Sequence, residues 1–195
     1  MRSAWRHAGG FTTIELLVTM SISAVVLGMA VPAMTDTVRR SMLSSASSEL
    51  VTAVNRARFE ASRSNLPGTP YTVCASSGTA DPSTATCSSN WTAGAIVFAD
   101  ANGNGARDNG EPVVYVMPPM DSNLTVALKS SLTFVLYAPN GMLHGDEAGM
   151  RFTISHSRSG SENENQYVCV LRSGVQAVSK PVLDADGRFT RCRTL

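Results

Sequence analysis

Near its amino terminus the chain reads Gly9-Gly10-Phe11-Thr12-Thr13-Ile14-Glu15-Leu16-Leu17, and it continues without a second charge to Val31. As one helix, at about 1.5 Å per residue, this run is long enough to cross the hydrocarbon core of a bilayer. A bare carboxylate in hydrocarbon costs several kcal/mol, so Glu15 requires a cationic partner. A cut after Gly10 would make Phe11 a new terminus, whose α-amino group supplies that charge in the same or a neighbouring subunit. The segment therefore predicts a processed, assembling helix.

These residues resemble the class III signal peptide of type IV pilins and type II secretion pseudopilins. The matching features are a short basic leader with Arg2 and Arg6, Gly10 before the cut, Phe11 after it, and Glu15 at the fifth mature position. The resemblance implies cleavage and N-methylation of Phe11 by prepilin peptidase, storage in the inner membrane, and later extraction into a filament. The alternatives are a simple signal anchor and a secretory signal cut further along, but the end of the apolar run is a poor match to a small-residue cleavage site.

The size and charge of the chain limit the classes of function. Its 195 residues hold one membrane helix and one soluble domain of ordinary size. The formal charge is +1, and removing Arg2 and Arg6 with the leader makes it −1. A near-neutral chain argues against a globally basic nucleic-acid binder. Because the sequence has no G-x-S-x-G elbow, no phosphate-binding Gly-rich loop and no evident Cys–His pair, we predict that it is not an enzyme.

Beyond the apolar run the helical signal continues. Apolar residues recur at three- and four-residue spacing until Leu66-Pro67-Gly68 stops the pattern, so the helix is predicted to span residues 11–65. The residues of this apolar stripe are Val38, Met42, Ala46, Leu50, Val54, Ala57 and Ala61. The predicted organisation is a cleaved leader at 1–10, a transmembrane or filament-core helix at 11–33, an amphipathic continuation at 34–66, and a periplasmic β-rich domain at 67–195.

The remainder of the chain has the pattern of short strands. Apolar and β-branched runs alternate with polar clusters of Gly, Asn, Asp and Ser, as a mostly antiparallel sheet requires. The predicted strands are 71–75, 94–99, 112–117, 124–128, 132–137, 150–155, 166–171 and 175–178. Trp91 and Tyr71 are expected to pack in the core against the helix. The predicted fold class is therefore α+β, with a long pilin-type N-terminal helix packed against a mostly antiparallel β-sheet domain.

The soluble part also resembles the pseudopilin H and FimT/FimU group of minor pilins. The resemblance depends on the order of Val73-Cys74-Ala75-Ser76-Ser77, Trp91, Gly94-Ala95-Ile96-Val97-Phe98, Asp100-Ala101-Asn102-Gly103-Asn104-Gly105 and Asp108-Asn109-Gly110-Glu111-Pro112. It implies a minor pilin that joins or primes a type IV pilus or a type II secretion pseudopilus, with other pilins or pseudopilins as partners. Sequence alone does not distinguish the two machines.

All four cysteines follow the apolar run: Cys74, Cys87, Cys169 and Cys192. An even number of cysteines in an exported domain predicts two disulfides, and four cysteines allow three connectivities. We favour Cys74–Cys87 and Cys169–Cys192, because each pair closes a local loop around polar, turn-rich sequence. Zinc binding is not expected, since the chain has neither C-x-x-C nor H-x-x-x-H spacing.

The stretch from Asp100 to Glu111 matches the calcium-binding loop of an EF-hand at six positions. The oxygen ligands would come from Asp100, Asn102, Asn104, the Ala106 carbonyl, Asp108 and Glu111, with Gly105 at the sharp turn. The flanking sequence predicts strands where an EF-hand has helices. The alternative is an Asx- and Gly-rich hairpin loop whose side chains bond its own backbone. Calcium is thus the one cofactor that the sequence suggests.

The carboxy-terminal segment places three arginines, Arg188, Arg191 and Arg193, within six residues. Three guanidinium groups could contact phosphates in a weak, salt-sensitive manner. The FimT branch includes DNA-binding pilins with a C-terminal Gly-Arg-x-Arg pattern. Here Gly187-Arg188 matches that pattern, but Thr190 stands where its second arginine is expected. The alternative function is therefore a pilus-tip minor pilin that binds DNA for uptake, and the alternative structure is a charged edge strand.

Overall fold

The computed structural model describes residues 11–63, 68–77, 81–130, 132–144, 150–160, 164–171 and 174–178. In these ranges the chain forms one long helix, α1 (Thr13–Arg63), a short 3₁₀ helix (Trp91–Ala93) and nine strands. The strands are β1 (Tyr71–Ser76), β2 (Cys87–Ser88), β3 (Ala95–Ala99), β4 (Val113–Met117), β5 (Leu124–Lys129), β6 (Phe134–Tyr137), β7 (Met150–His156), β8 (Gln166–Leu171) and β9 (Gly174–Val178). The chain divides into two compact units, Met1–Arg40 and Ser41–Leu195, whose boundary falls within α1.

The second part of α1 carries an apolar stripe, as its periodicity predicts. The predicted residues Ala46, Leu50, Val54, Ala57 and Ala61 are all buried, and Met42 is partly buried. Leu43 and Ala53 are buried as well, so the stripe is wider than predicted, as it is in a helix that faces a broad core. The prediction was wrong for Val38, which is 47% exposed, because a 3.6-residue period does not say where burial begins.

The first sheet is built around β1. Strand β1 pairs along one edge with β3, which in turn pairs with β4. Its other edge is shared by β6, which pairs with residues 71–74, and by β2, which pairs with residues 75–76. Val73, at the centre, faces Val97 in β3 and Val135 in β6. Strand β1 is thus the middle of the sheet, and all six of its residues are buried.

The second sheet has the order β5-β7-β8-β9, and β7, β8 and β9 follow one another as hairpins. Every strand pair in the described parts of both sheets is antiparallel, which confirms the predicted mostly antiparallel architecture. The eight predicted strands are all present, with ends that differ by at most two residues. Strand β2 and the 3₁₀ helix were missed, because two or three residues are too few to show a period.

One hydrophobic core joins the two sheets and the second part of α1. Its buried members include Leu50 and Val54 from the helix, Val97 from the first sheet, and Phe152 and Val168 from the second. Trp91 and Tyr71 are buried in this core, as predicted. The rings of Trp91 and Phe152 meet edge to face with centroids 4.7 Å apart, a favourable geometry for an aromatic pair. The Ser41–Leu195 unit thus buries its apolar surface between helix and sheets.

A second, smaller core covers the opposite face of the first sheet. Cys74, Ile96 and Phe98 point to this side, and the loop that contains Ala85 packs over them. The disulfide between Cys74 and Cys87 fastens that loop to β1, which confirms the first predicted pair. Cys169 is disulfide-bonded too, but Cys192 lies outside the described residues, so the pairing of these two stays a prediction.

We expect removal of the Cys74–Cys87 bond to lower the free energy of unfolding by about 3 kcal/mol, because the bond closes a short loop and restricts the unfolded chain. The two cysteines are 13 positions apart. The measurement is urea denaturation of the full Cys74→Ala/Cys87→Ala chain in nonionic detergent micelles. A loss well under about 1 kcal/mol would show that packing alone holds the loop.

Candidate functional site

The first turn of α1 is closed by an N-cap. The backbone N–H of Glu15 donates to Oγ1 of Thr12 at 3.3 Å, and the N–H of Leu16 donates to the Thr12 carbonyl at 3.2 Å. Threonine is a favoured N-cap residue, and a glutamate three positions later stands where the helix dipole stabilises a negative charge. The T-x-x-E pattern of residues 12–15 is the sequence signal for this cap. It places Glu15 in the outermost turn of the helix, beside the predicted new terminus.

The beginning of α1 presents an unbroken apolar surface. Every side chain from residue 11 to residue 29 is exposed, and large ones are widely so: Phe11 by 82%, Ile14 by 69% and Leu17 by 59%. By length and composition this helix is able to cross a membrane. Extended apolar surfaces of this kind mark sites of membrane or protein interaction. Lipid or another protein must therefore cover the surface.

Three of the polar side chains on this surface are satisfied within the helix. The hydroxyls of Thr19, Ser21 and Ser23 donate to carbonyl oxygens three or four residues earlier, at 2.7–2.9 Å. Such internal bonds allow serine and threonine to enter an apolar environment without an unpaired donor. The Glu15 carboxylate is then the charge that remains to be neutralised when the surface is covered.

Asp100 is a fully buried carboxylate at the end of β3. Its Oδ2 accepts from the Thr72 hydroxyl at 2.8 Å and from the backbone N–H of Gly105 at 2.9 Å. Its Oδ1 accepts from the N–H of Asn104 at 3.1 Å. Hydrogen bonds to a buried carboxylate are among the stronger ones in proteins, because both partners are removed from water and one is charged. Asp100 thus ties the loop after β3 to the neighbouring strand β1.

Asn102 and Asn104 are oriented by the backbone of the loop. Oδ1 of Asn102 accepts from the N–H of Asn104 at 3.2 Å, and Oδ1 of Asn104 accepts from the N–H of Ala106 at 2.7 Å. Their Nδ2 groups therefore point elsewhere, and both donate to Oδ2 of Asp108, at 2.8 and 3.0 Å. Amide N–H groups contact the Asp108 carboxylate where, in the calcium interpretation, it would face a cation.

Glu111 closes the loop from its far end. One carboxylate oxygen accepts from the backbone N–H of Ala101 at 2.8 Å, and the other accepts from that of Asp108 at 2.9 Å. The structure thus gathers the carboxylates and amides of the predicted calcium site, each bonded to the loop itself, as in the Asx- and Gly-rich alternative. Among the described residues, no three His, Cys, Asp or Glu side chains form a group that could hold a metal. Calcium binding stays a prediction.

Arg107, which the sequence analysis did not single out, links this loop to the disulfide-bonded loop. Its Nη1 donates to the carbonyls of Ala85 at 2.6 Å and Ser83 at 3.3 Å, and its Nε donates to the Glu111 carbonyl at 3.3 Å. Sγ of Cys87 lies 3.7 Å from the Gly105 carbonyl oxygen. The two loops therefore cover the outer face of the first sheet as one structure.

Several predicted functional residues fall beyond the described ranges. Gly10, at the predicted cleavage site, lies outside the described residues, as do Arg188, Arg191 and Arg193 of the predicted DNA contact. Cleavage after Gly10 and DNA binding through these arginines remain sequence-based predictions.

Comparison with known proteins agrees with the fold and with the amino-terminal motif. The family model described as type II transport protein GspH matches residues 46–174, and the prokaryotic N-terminal methylation motif matches residues 5–31. No curated protein sequence matches the chain.

Among solved structures, the type IV minor pilin FimU of Pseudomonas aeruginosa is 20% identical, with a TM-score of 0.50, over 71% of this chain and 90% of that one. The minor pseudopilin EpsH of the type 2 secretion system of Vibrio cholerae is 8% identical, with a TM-score of 0.47, over 70% and 96%. The likeness to FimU shows a shared fold, in which a long N-terminal helix packs against antiparallel sheets.

The family model covers well over half of the chain, including the second part of α1 and all the strands up to the start of β9. The methylation motif covers the apolar run and the residues around Gly10 and Phe11. Members of this family are structural proteins without enzymatic activity, in agreement with the prediction from sequence. The chain therefore belongs to the GspH family of type II transport proteins, a family of pseudopilins, and carries the prokaryotic N-terminal methylation motif.

Proposed function

We propose that this protein is a subunit that assembles into, or primes, a type IV pilus or a type II secretion pseudopilus through its hydrophobic N-terminal helix. The observation that carries the proposal is the continuous exposed apolar surface of residues 11–29. The stripe from Leu43 to Ala61 of the same helix is buried in the core of its own domain. Residues 11–29 have no such cover within the described part of the chain and require lipid or another protein. Family membership supports other pilins as the eventual cover.

The proposed mechanism is an exchange of lipid for protein around α1. Prepilin peptidase removes residues 1–10 and methylates Phe11, and the subunit waits in the inner membrane with residues 67–195 in the periplasm. Residues 11–33 then enter the filament core, and residues 34–66 connect that helix to the domain. Apolar packing alone does not fix the axial position of one helix against another. A pair between the Glu15 carboxylate and the Phe11 ammonium of a neighbour does so, since a mispositioned subunit leaves a charge unpaired in an apolar environment.

The test removes the charge of Glu15 in two ways: glutamine keeps the shape of the side chain, and valine replaces it with an apolar one. We expect Glu15→Gln and Glu15→Val to insert into the membrane and to be cleaved normally, while incorporation into filaments falls at least about tenfold, the factor that corresponds to about 1.4 kcal/mol of lost pairing. Incorporation is measured by immunoblot of sheared filaments against the membrane fraction of the same cells.

A matched control is Ser21→Ala, which removes a hydroxyl already bonded to the Leu17 carbonyl within the helix. We expect this variant to assemble at the wild-type level. Normal incorporation of both Glu15 variants would refute the charge-pair mechanism. A loss with Ser21→Ala equal to that of the Glu15 variants would show that any change in the helix blocks assembly.

A further inference from the structure

Strand β8 of the second sheet is buried on both of its faces. Val168 and Val170 belong to the core that joins the helix and the two sheets. The side chains that alternate with them point to the opposite, outward face of the sheet. These are Tyr167, Cys169 and Leu171, which are 6%, 6% and 8% exposed although they belong to neither of the two described cores. Another part of the molecule therefore covers the outward face of β8.

The cover lies at one side of that face. On the same face, Thr125 and Ala127 of β5 are exposed, whereas Arg151 and Thr153 of β7 are half-buried. Burial of the outward side chains thus increases from β5 through β7 to β8, in the order in which these strands lie in the sheet. The guanidinium of Arg151 contributes, since it lies over the Tyr167 ring, 5.6 Å from its centroid. The rest of the cover is expected beside β8 and β9, where the chain leaves the sheet.

The disulfide bond of Cys169 identifies the covering segment. Cys169, in the middle of the outward face of β8, is disulfide-bonded, and Cys74 and Cys87 are bonded to each other. Because the chain has four cysteines, Cys192 is the one left to bond Cys169 within the same chain. A disulfide holds its two Cα atoms about 4.4–6.8 Å apart. Such a bond brings the end of the chain onto this face.

The chain leaves the second sheet close to the bonded cysteine. Val178, the last residue of β9, lies directly opposite Tyr167. Cys169 is two residues further along β8, about 7 Å away at the rise of a strand. Cys192 follows Val178 by 14 positions. Because an extended stretch of that length reaches about 46 Å, the segment is long enough to loop across the outward face before it returns to Cys169.

We propose that residues 179–195 form a strap over the outward face of β8, fastened by a disulfide between Cys169 and Cys192. The strap has the apolar side chains that such a cover requires, and removing them from water together with those of β8 stabilises the closed arrangement. These side chains are Val182, Leu183, Phe189 and Leu195. The occupant of this face is thus a segment of the same chain.

The strap determines where two arginines of the carboxy-terminal segment lie. Arg191 and Arg193 directly flank the second cysteine of the bond. Arg151 lies opposite Cys169 in the neighbouring strand β7, and Lys129 lies opposite Arg151 in β5. The strap therefore adds two cations beside a pair that already shares one row of the outward face. Like charges on neighbouring strands repel, so the disulfide and the apolar contacts hold the strap in place against this repulsion.

The test is nitration of tyrosines by tetranitromethane, located by mass spectrometry, in the full chain in nonionic detergent micelles. Tyr71 and Tyr137 are buried in the main core and serve as internal references for an intact fold. We expect Tyr167 to be as unreactive as these two in the unmodified protein. After Cys169→Ala/Cys192→Ala we expect it to react at least about tenfold faster, because the strap then opens locally while the core stays closed.

Two further variants separate the strap from the rest of the fold. Cys74→Ala/Cys87→Ala removes the other disulfide and should leave Tyr167 unreactive. Deletion of residues 179–195 in a Cys169→Ala chain should expose Tyr167. If Tyr167 stayed unreactive in this shortened chain, the strap would not be its cover.

Peptide mapping of the unmodified protein without reductant tests the bond itself and does not depend on the folding of any variant. We expect a peptide with Cys169 linked to one with Cys192, in a protein that is monomeric on a nonreducing gel. A link between two chains, seen as a disulfide-bonded dimer, would overturn the proposal. Since no readout involves filaments, the result is independent of the Glu15 experiment.

Discussion

Replacing Asp100 with alanine is expected to lower the free energy of unfolding by about 4 kcal/mol, since the buried carboxylate accepts three hydrogen bonds. Without it, the Thr72 hydroxyl and the N–H of Gly105 stay buried and lose these acceptors. Removing one partner of a buried bond costs the desolvation of the group left behind, which exceeds the net value of the bond itself. Urea denaturation of the full chain in detergent micelles measures the loss, with near-ultraviolet circular dichroism as the signal from the buried Trp91.

Asp108→Ala is the matched control in the same loop. Asp108 is exposed and accepts from two asparagine side chains, so we expect a loss of about 1 kcal/mol or less. If both variants lost the same free energy of unfolding, burial of the Asp100 carboxylate would not be the cause of its large effect. The same pair of variants tests calcium: a rise in melting temperature with millimolar calcium that both substitutions abolish would support the predicted site.

Gly105→Ala is expected to destabilise the protein by a similar amount, roughly 4 kcal/mol, for a steric reason. Gly105 has a φ of +76°, which costs any other residue about 1–2 kcal/mol, and an added Cβ would overlap the ring of Phe134. Relief requires movement of either the ring or the loop, and overpacking of this kind costs about 1–3 kcal/mol more. The ring of Phe134 belongs to the smaller core, so we also expect the Cys74–Cys87 disulfide to become easier to reduce.

Gly110→Ala separates the cost of the positive φ from the cost of the overlap with Phe134. Gly110 has a φ of +92°, but no atom lies within 4 Å of where its Cβ would be. We therefore expect it to show the backbone cost of about 1–2 kcal/mol alone. The measurement is the same denaturation experiment, together with the rate of disulfide reduction by dithiothreitol in both variants. If Gly110→Ala were as harmful as Gly105→Ala, contact with Phe134 would not be the cause.

The spacing of apolar and polar residues along the chain predicted the helix and the longer strands well. The three- and four-residue spacing predicted the buried stripe around Leu50 and Val54, and alternation with polar clusters predicted all eight longer strands. These predictions succeed because a helix or strand that is buried on one side has apolar residues at the period of that element, and the period is visible among residues close in sequence. The disulfide Cys74–Cys87 could be favoured for a similar reason, since the two residues are close in sequence.

The loop after β3 shows where local pattern fails. The spacing of Asp100, Asn102, Asn104 and Asp108 suits a cation and a self-bonded loop equally well, because both require oxygen atoms that converge. What distinguishes them is the set of donors that other parts of the chain bring, such as the hydroxyl of Thr72, 28 positions away. Arg107 illustrates the same limit, as the carbonyls of Ser83 and Ala85 that it binds come from a separate loop.

By itself the sequence determined the two-part helix, the number and place of the longer strands, and the isolated charge of Glu15 in an apolar run, because each depends on residues close along the chain. The tertiary structure alone decided that β1 lies between β3 and β6, that Asp100 is buried, and that Arg58 of the helix bonds the carbonyl of Gly141. These features depend on pairings between distant segments, which are selected by packing of the whole core and leave no period in the sequence.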